Sequence, residues 1–428
     1  MLSLIGPMRE HLDGHKELTS EKELIVLPPV KEAAIALQRG NAKIQCLVQP
    51  GDDVKIGDLI AKQDDFFYVP FFAPVSGTVK AIEKRTSLTN KPADHVIIEN
   101  DGLDRKAELS TLNAEKASKE EIVAFLKEKG IIGCGGAGFP AYFKYNTDKC
   151  ETLIINCVEC EPFITSDAYT AEHDPEDLKY GVHALLKASG AKKCYVAVKE
   201  TKKELIAVLD PLFAGEKDIE VKKVPDVYPM GWERTLVYEL IGKRYERLPI
   251  EVGVILSNAT TVVMSARAMK TGLPIYEKVV TVSGEAVRDP HNVLARVGTP
   301  IRELVEACGG YSAERVSLLA GGPMMGSALI KDEIAIGPAS NAVTVRHPDE
   351  TEAIACLRCG KCVEHCPSGL MPVNIVNALK ANDVDRLIKL HTTDCIECGL
   401  CTYICPSRIA VTDNIRRAKR LLSLKAKK

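Results

Sequence analysis

The sequence predicts a multidomain protein of α/β and α+β class. An N-terminal all-β module is followed by an α/β domain, a compact α+β module and a cysteine-rich helical segment. Three observations predict this order. Short β-type runs broken by Gly and Pro fill Ile44 to Asn100, and apolar strands alternate with helical patterns from about 110 to 270. Eight of the fifteen cysteines fall between Cys356 and Cys405, a crowding that points to metal chemistry in a chain with no need of disulfide staples. The 428 residues suit about three domains.

Composition excludes several classes. Lys plus Arg (56) nearly cancel Asp plus Glu (58), for a net charge of −2, so the basic excess of a nucleic-acid binder is absent. No apolar run approaches the ~20 residues of a membrane helix. The opening MLSLIGPMRE is too short and too soon charged for a secretory signal. The expected location is the cytoplasm, free or peripheral on the cytoplasmic face of the cell membrane.

Residues 1–25 read as a polar arm or an edge segment. The stretches Val48 to Gln63 and Phe71 to Glu83 alternate around Gly-Asp turns, and the pattern resembles the biotinyl/lipoyl-type barrel, with a hairpin tip at about Asp64 to Tyr68. Carrier members of that fold bear a lysine at the tip. None stands there in this chain, which predicts a scaffold barrel. A Ser cap and helical spacing predict a helix over 118–129, stopped by Gly130. A glycine-rich loop follows at Ile132 to Lys144, then a buried strand from Thr152. Helices are expected at 175–189 and 200–214, and strands at Ala191 to Lys199, Ile219 to Val224 and Val252 to Leu256. VVTVSGEAV, a helix at 300–308 and VSLLAGGPMMG make a ferredoxin-like or ubiquitin-like α+β module. The expected domains are 1–107, 108–272, 273–340 and 341–415, with a basic tail over 416–428 that reads as a solvated helix end.

Cys356, Cys359, Cys362 and Cys366 have the spacing C-x2-C-x2-C-x3-C before Pro367; Cys395, Cys398, Cys401 and Cys405 repeat it before Pro406. Three thiolates at intervals of three wrap one 4Fe–4S cube, and the cysteine before Pro reaches the neighbouring cluster. One cluster then takes Cys356, Cys359, Cys362 and Cys405, the other Cys395, Cys398, Cys401 and Cys366. Zinc would favour two CxxC pairs instead. The 28 residues between Cys366 and Cys395 carry a helical pattern, which predicts the helical kind of two-cluster ferredoxin domain.

Gly133-Cys134-Gly135-Gly136-Ala137-Gly138 satisfies G-x-G-x-x-G but lacks the preceding strand and following helix of a dinucleotide fold. What remains is bare backbone that a phosphate or flat ring can approach, with Lys144 nearby. GCGGAGFPAYFK is similar to the flavin loop of the NADH- and FMN-binding subunit of respiratory complex I. With NCVECEPFITSD, YPMGWERTL, SNATT, GGPMMG and the two cysteine motifs, the chain resembles the RnfC family of the Rnf electron-transport complex from about residue 44 to 415.

That resemblance implies FMN and NADH as cofactor and substrate. Gly133, Gly135, Gly136 and Gly138 would contact the flavin, and Lys144 its phosphate. Asn156, Glu159, Tyr228, Glu233, Asn258 and Thr260 would line the flavin pocket, and Phe139 and Glu161 the dinucleotide. The module near 278–325 resembles a soluble-ligand-binding β-grasp (SLBB) domain, with Met324 and Met325 in its packing. Cys134, Cys157, Val158 and Trp232 depart from the relatives on the nucleotide side. The implied function is NADH oxidation through FMN and two 4Fe–4S clusters, with no catalytic acid or base. The partners would be other subunits of an Rnf-type complex, and ferredoxin or a flavoprotein as acceptor. Two other readings stand beside it: a freestanding cytosolic relative feeding a reductase such as proline reductase, and a non-catalytic iron–sulfur adaptor.

Overall fold

The computed structural model describes residues 9–425, so Met1 to Met8 and the last three residues of the basic end lie outside it. The arm reaches β1 (Ile25–Val26), and the barrel follows with β2 (Glu32–Ala36), β3 (Ile44–Cys46), β4 (Asp53–Val54), β5 (Leu59–Asp64), β6 (Tyr68–Phe72), β7 (Gly77–Thr86) and β8 (Pro92–Asn100). Two small sheets, β2-β8-β7-β4 and β3-β5-β6, face each other. Ile35, Val54, Ile60, Val75, Val96 and Ile98 fill the space between them. The expected hairpin tip is the β5–β6 turn, Asp64 opposite Tyr68.

The second unit contains α1 (Lys119–Glu128), α2 (Ala141–Tyr145), β9 (Thr152–Asn156), α3 (Ser166–His173), α4 (Pro175–Ser189), β10 (Lys193–Lys199), α5 (Lys203–Leu212), β11 (Ile219–Val224), α6 (Glu233–Ile241), β12 (Val254–Asn258) and α7 (Ala259–Thr271). Ser118 and Glu121 close a reciprocal capping box on α1, as the sequence predicts. Its sheet is parallel throughout, in the order β11-β10-β9-β12. The chain moves from β9 to β10 and β11 on one side, then crosses to β12 on the other. Ligand crevices of open parallel sheets form outside the carboxyl ends of strands at such a reversal. Here that place lies beyond β9 and β12, where Asn156 and Asn258 stand in register.

The third unit is built from β13 (Glu277–Ser283), β14 (His291–Arg296), α8 (Ile301–Ala307), β15 (Ser317–Ala320), β16 (Ser327–Leu329) and β17 (Ala342–Arg346). Its sheet, β1-β14-β13-β17-β15-β16, takes β1 from the arm as its edge strand. The arm thus ends in an edge strand, where Ile25 and Val26 pair in parallel with Val293 and Leu294.

The C-terminal unit holds α9 (Lys361–Glu364), α10 (Pro372–Lys380), α11 (Val384–Lys389), α12 (Leu400–Tyr403) and α13 (Val411–Lys425). The helical stretch between the cysteine motifs is two helices, broken where Asn382 adopts a left-handed φ of 51°. Residues 416–425 of the basic end are helical. They continue α13, whose Ile415, Ala418 and Leu422 pack with Ile375 and Leu387 in the core of this unit. Among the described residues, no helix is long and apolar enough to cross a membrane.

Candidate functional site

The glycine loop lies against the start of α7. The Cys134 amide donates to Thr261 Oγ1 at 2.9 Å, and Asn258 Nδ2 donates to the Cys134 carbonyl. Thr260 Oγ1 and Asn258 Nδ2 both donate to Asp167, a carboxylate that burial pushes above its usual range. Asp167 thereby locks the mouth of β12 to α3. Asp167 ends the stretch NCVECEPFITSD, but nothing in its spacing reveals that it holds Asn258 and Thr260.

Gly135 requires its positive φ of 107°, and a Cβ there would come within 3.1 Å of the Asn258 amide. Gly136 has nothing within 4 Å of a Cβ position. Gly135 to Ala137 are exposed at the head of the crevice. Gly138 gives its carbonyl to Arg39 of the barrel at 2.7 Å, and the Gly133 amide closes the loop onto Phe139. Lys144 Nζ donates to the Leu256 carbonyl at 2.9 Å, midway along β12. Burial pulls its pKa down, and Glu233 nearby opposes that shift. Glu233 itself accepts from Tyr245 at 2.9 Å. Asn156 Nδ2 donates to Gly231 at 2.9 Å. Trp232, next to Gly231, has a buried indole N–H without a partner. The loop thus meets Asn258 and Thr261 at the end of β12, Asn156 stands across from Asn258, and Lys144 binds β12 with Glu233 nearby. Exposed bare backbone at a strand switch point suits the approach of a phosphate or a flat ring.

Phe139 does not face the crevice alone. Its ring meets Phe67 of the barrel hairpin at 5.4 Å and Phe143 at 5.8 Å. Glu159 accepts from the Asp167 amide at 3.1 Å, and burial pushes its carboxyl up while Lys16 opposes the shift. Lys16 comes from the arm, where its ammonium donates to the carbonyls of Glu161 (2.7 Å) and Ile164. Sequence reasoning missed it, since 145 residues separate the partners.

Glu161 and Tyr228 turn toward the cysteine-rich unit. Glu161 Oε1 accepts from the Met324 and Met325 amides at 2.7 and 3.0 Å. The Tyr228 hydroxyl, 3.5 Å from Glu161 Oε2, donates to the Cys398 carbonyl at 2.6 Å. Cys134, Cys157 and Cys160 are thiols that burial pushes up, Cys160 to about 11. Cys134 and Cys157 are buried and lack the accessible setting of reactive cysteines.

The eight motif cysteines form two groups. Cys366, Cys395, Cys398 and Cys401 line one apolar cavity together with Leu370, Pro372 and Ile415. Ser407 pairs with Ile354 and Ala355. That pairing brings Cys405 toward Cys356 and Cys359, which together raise the pKa of Cys362 after burial. Each motif repeats the same turn: left-handed Arg358 and Gly360 in one, Glu397 and Gly399 in the other. Backbone amides point at sulfur, Arg358 to Cys356 and Glu397 to Cys395, both at 3.4 Å. Among the described residues no three His, Cys, Asp or Glu side chains converge as a single metal ion requires. Four soft thiols around an apolar cavity, with amides donating to sulfur, fit a cuboidal iron–sulfur cluster.

Comparison with known proteins accords with this division. Residues 10–103 match the RnfC barrel sandwich hybrid domain, 126–266 the Nuo51 FMN-binding domain, 279–328 the SLBB domain and 349–407 the 4Fe-4S dicluster domain. The chain is 32% identical over 373 residues to the C component of the proton-translocating ferredoxin:NAD(+) oxidoreductase complex of Clostridium ljungdahlii, covering 85% of this chain and 81% of that one. It is 31% identical to the C component of the Na(+)-translocating ferredoxin:NAD(+) oxidoreductase complex of Acetobacterium woodii, over 96% and 95%. To the C component of the ion-translocating oxidoreductase complex of Rhodobacter capsulatus it is 33% identical, over 89% and 76%. In fold it is similar to a chain of an NAD+-reducing [NiFe]-hydrogenase, with a TM-score of 0.50 and 19% identity over 72% of this chain and 63% of that one. The chain belongs to the RnfC family, the C components of ion-translocating oxidoreductase complexes, with an FMN-binding domain and a 4Fe–4S dicluster domain.

Proposed function

We propose that the chain is the NADH-oxidising subunit of an Rnf-type complex. In this role it passes single electrons from FMN through two 4Fe–4S clusters to a partner such as ferredoxin or a membrane flavoprotein. Its place would be peripheral, on the cytoplasmic face of the cell membrane. One observation carries the reading: the unit whose strand switch point carries the bare glycine loop also sends the Tyr228 hydroxyl to the carbonyl of Cys398, a lining residue of the four-thiol cavity. The relatives from three genera are each named as the C component of an oxidoreductase complex, which favours a role within a complex over a freestanding protein.

Bound flavin supplies the conversion between a two-electron hydride and one-electron transfer. The residues of the chain bind and orient. The loop of Gly133, Gly135, Gly136 and Gly138 would offer close approach to bare backbone, and Lys144 would offset phosphate charge. Asn156, Asn258 and Thr260 hold the strand ends open, with Asp167 fixing the last two. Glu233 borders the pocket. Glu159 would border the flavin as well, and Phe139 and Glu161 would meet the dinucleotide. Burial pushes both glutamates up, so they favour hydroxyl partners over bulk anions. No side chain needs to take a proton, because the hydride leaves directly.

The test is an anaerobic absorbance spectrum of protein loaded with FMN and both clusters, before and after NADH. Bleaching of the flavin band followed by the cluster band is expected. An unchanged spectrum would reject NADH as donor, and absence of any flavin band would favour a non-catalytic adaptor.

A further inference from the structure

We infer that the N-terminal barrel is a working part of the flavin site. Its Arg39 is a positioning residue that holds the second half of the glycine loop in the shape a ligand meets. This deepens the flavin-binding reading above and rests on it.

The glycine loop has little to stiffen it from within. Gly135 and Gly138 sit at φ 107° and 63°, and Gly135 to Ala137 are exposed. Bare glycine backbone has the most freedom to lose on ordering. Neighbouring elements supply the restraint. In the first half of the loop the Cys134 amide is held by Thr261, and the Gly135 amide donates to the Ala339 carbonyl of the third unit at 3.1 Å. In the second half the hold comes from the barrel, where Arg39 Nη2 donates to the Gly138 carbonyl at 2.7 Å.

Arg39 is itself braced. Its Nε donates to Gln63 Oε1 at 3.2 Å, and Gln63 Nε2 donates to Asp65 Oδ1 at 2.7 Å. The same Asp65 oxygen accepts from the Phe67 amide at 3.2 Å. Gln63 is 4% exposed, so the middle of this chain of bonds is shielded from water. The chain runs from the glycine loop to the β5–β6 hairpin tip, and the tip is docked on α2. There the Tyr68 amide donates to the Tyr142 hydroxyl at 3.0 Å, and Phe67 meets Phe143 and Phe139 edge-on at 5.1 and 5.4 Å. The barrel thus grips both the Gly138 carbonyl and the Phe139 ring that follows it. A loop already ordered in the free protein has less freedom to give up when flavin binds, and the difference appears as affinity. With Nε and Nη2 both engaged within the protein, Arg39 acts on the backbone, and the phosphate is left to Lys144.

The experiment titrates the full chain, loaded with clusters and freed of flavin, with FMN and separately with riboflavin, and follows flavin fluorescence. Arg39→Met should raise the Kd of both ligands at least tenfold and in equal proportion, because a loosened loop penalises both alike. Arg39→Lys keeps a donor for Gly138 and should lose less than Arg39→Met. Hydrogen exchange of the flavin-free proteins separates positioning from general unfolding. In Arg39→Met the amides of residues 132–139 should exchange at least tenfold faster, while those of α4 keep the wild-type rate. Three results would each overturn the inference. Faster exchange in α4 as well would make Arg39 a residue of the fold alone, a loss for FMN but not riboflavin would make it a phosphate ligand, and wild-type affinity for both would take the barrel out of the site. Wild-type protein that binds neither flavin would instead sink the parent function.

Discussion

Replacing Gly136 by Ala separates ligand contact from protein strain. In the free protein the new methyl would find nothing within 4 Å, and φ at this position is not left-handed, so folding stability should not change. A flavin packed on the bare backbone would collide with that methyl. Overpacking of this kind costs about 1–3 kcal/mol, or roughly a 5- to 150-fold rise in Kd at ~1.4 kcal/mol per decade. Trp232 is the only tryptophan and follows Gly231, which Asn156 contacts at the end of β9. Its emission therefore serves as the readout of an FMN titration. Gly135→Ala is the contrasting case. It places a side chain at φ 107° and within 3.1 Å of Asn258, so it should lose about 1–3 kcal/mol of stability as well as affinity. If Gly136→Ala binds FMN as the wild type does, the flavin does not lie over this loop and the site assignment fails.

Lys144→Met should weaken FMN binding by about tenfold or more, the worth of a charge-assisted contact, and leave riboflavin binding unchanged; equal losses for both would remove the phosphate role. Gly181→Ala should lower the unfolding midpoint of the flavin domain by about 4–8 °C, for a net loss of ~2 kcal/mol at ~2–4 °C per kcal/mol. Its Cβ would lie 2.4 Å from the Val262 carbonyl where α4 crosses α7, which outweighs the ~1 kcal/mol helix preference of Ala. Glu161→Gln keeps an acceptor for Met324 and Met325. Burial raises the Glu161 carboxyl above 4.5, so its contribution is complete below pH 4.5 and is lost as pH climbs through the raised value. Melting curves should show the Gln variant gaining on the wild type as pH rises toward neutral, and parallel curves would contradict this.

The elements legible in the sequence are those with local signals. The helix expected at 175–189 is α4, started by Pro175 and ended by Gly190 in the left-handed conformation. The strand expected at 219–224 is β11. The cysteine motifs are legible because ligation by three thiolates is itself local. In contrast, α7 carries no amphipathic signal: ten of its thirteen residues are buried, so no polar face marks its period. The strand expected at Val252 to Leu256 begins two residues later, after a short 3-10 turn at Pro249–Val252. In the site, the glycine loop is visible as composition. The links between units are not, since Tyr228 meets Cys398 across 170 residues and Lys16 meets Glu161 across 145. Such pairings depend on how whole domains dock, which no short window of residues encodes.

The edge position of β1 has a consequence for how the molecule is made. Ile25 leaves the ribosome long before Val293, its neighbour in the sheet. At ~5–20 residues per second the wait is on the order of 13–54 s. During that time the threonine and lysine that reach Thr165 and Ile164 have partners sooner than the strand beside them does. Assembly is thus expected to run like a seam sewn from the middle, with the earliest thread drawn tight only after the third unit has emerged.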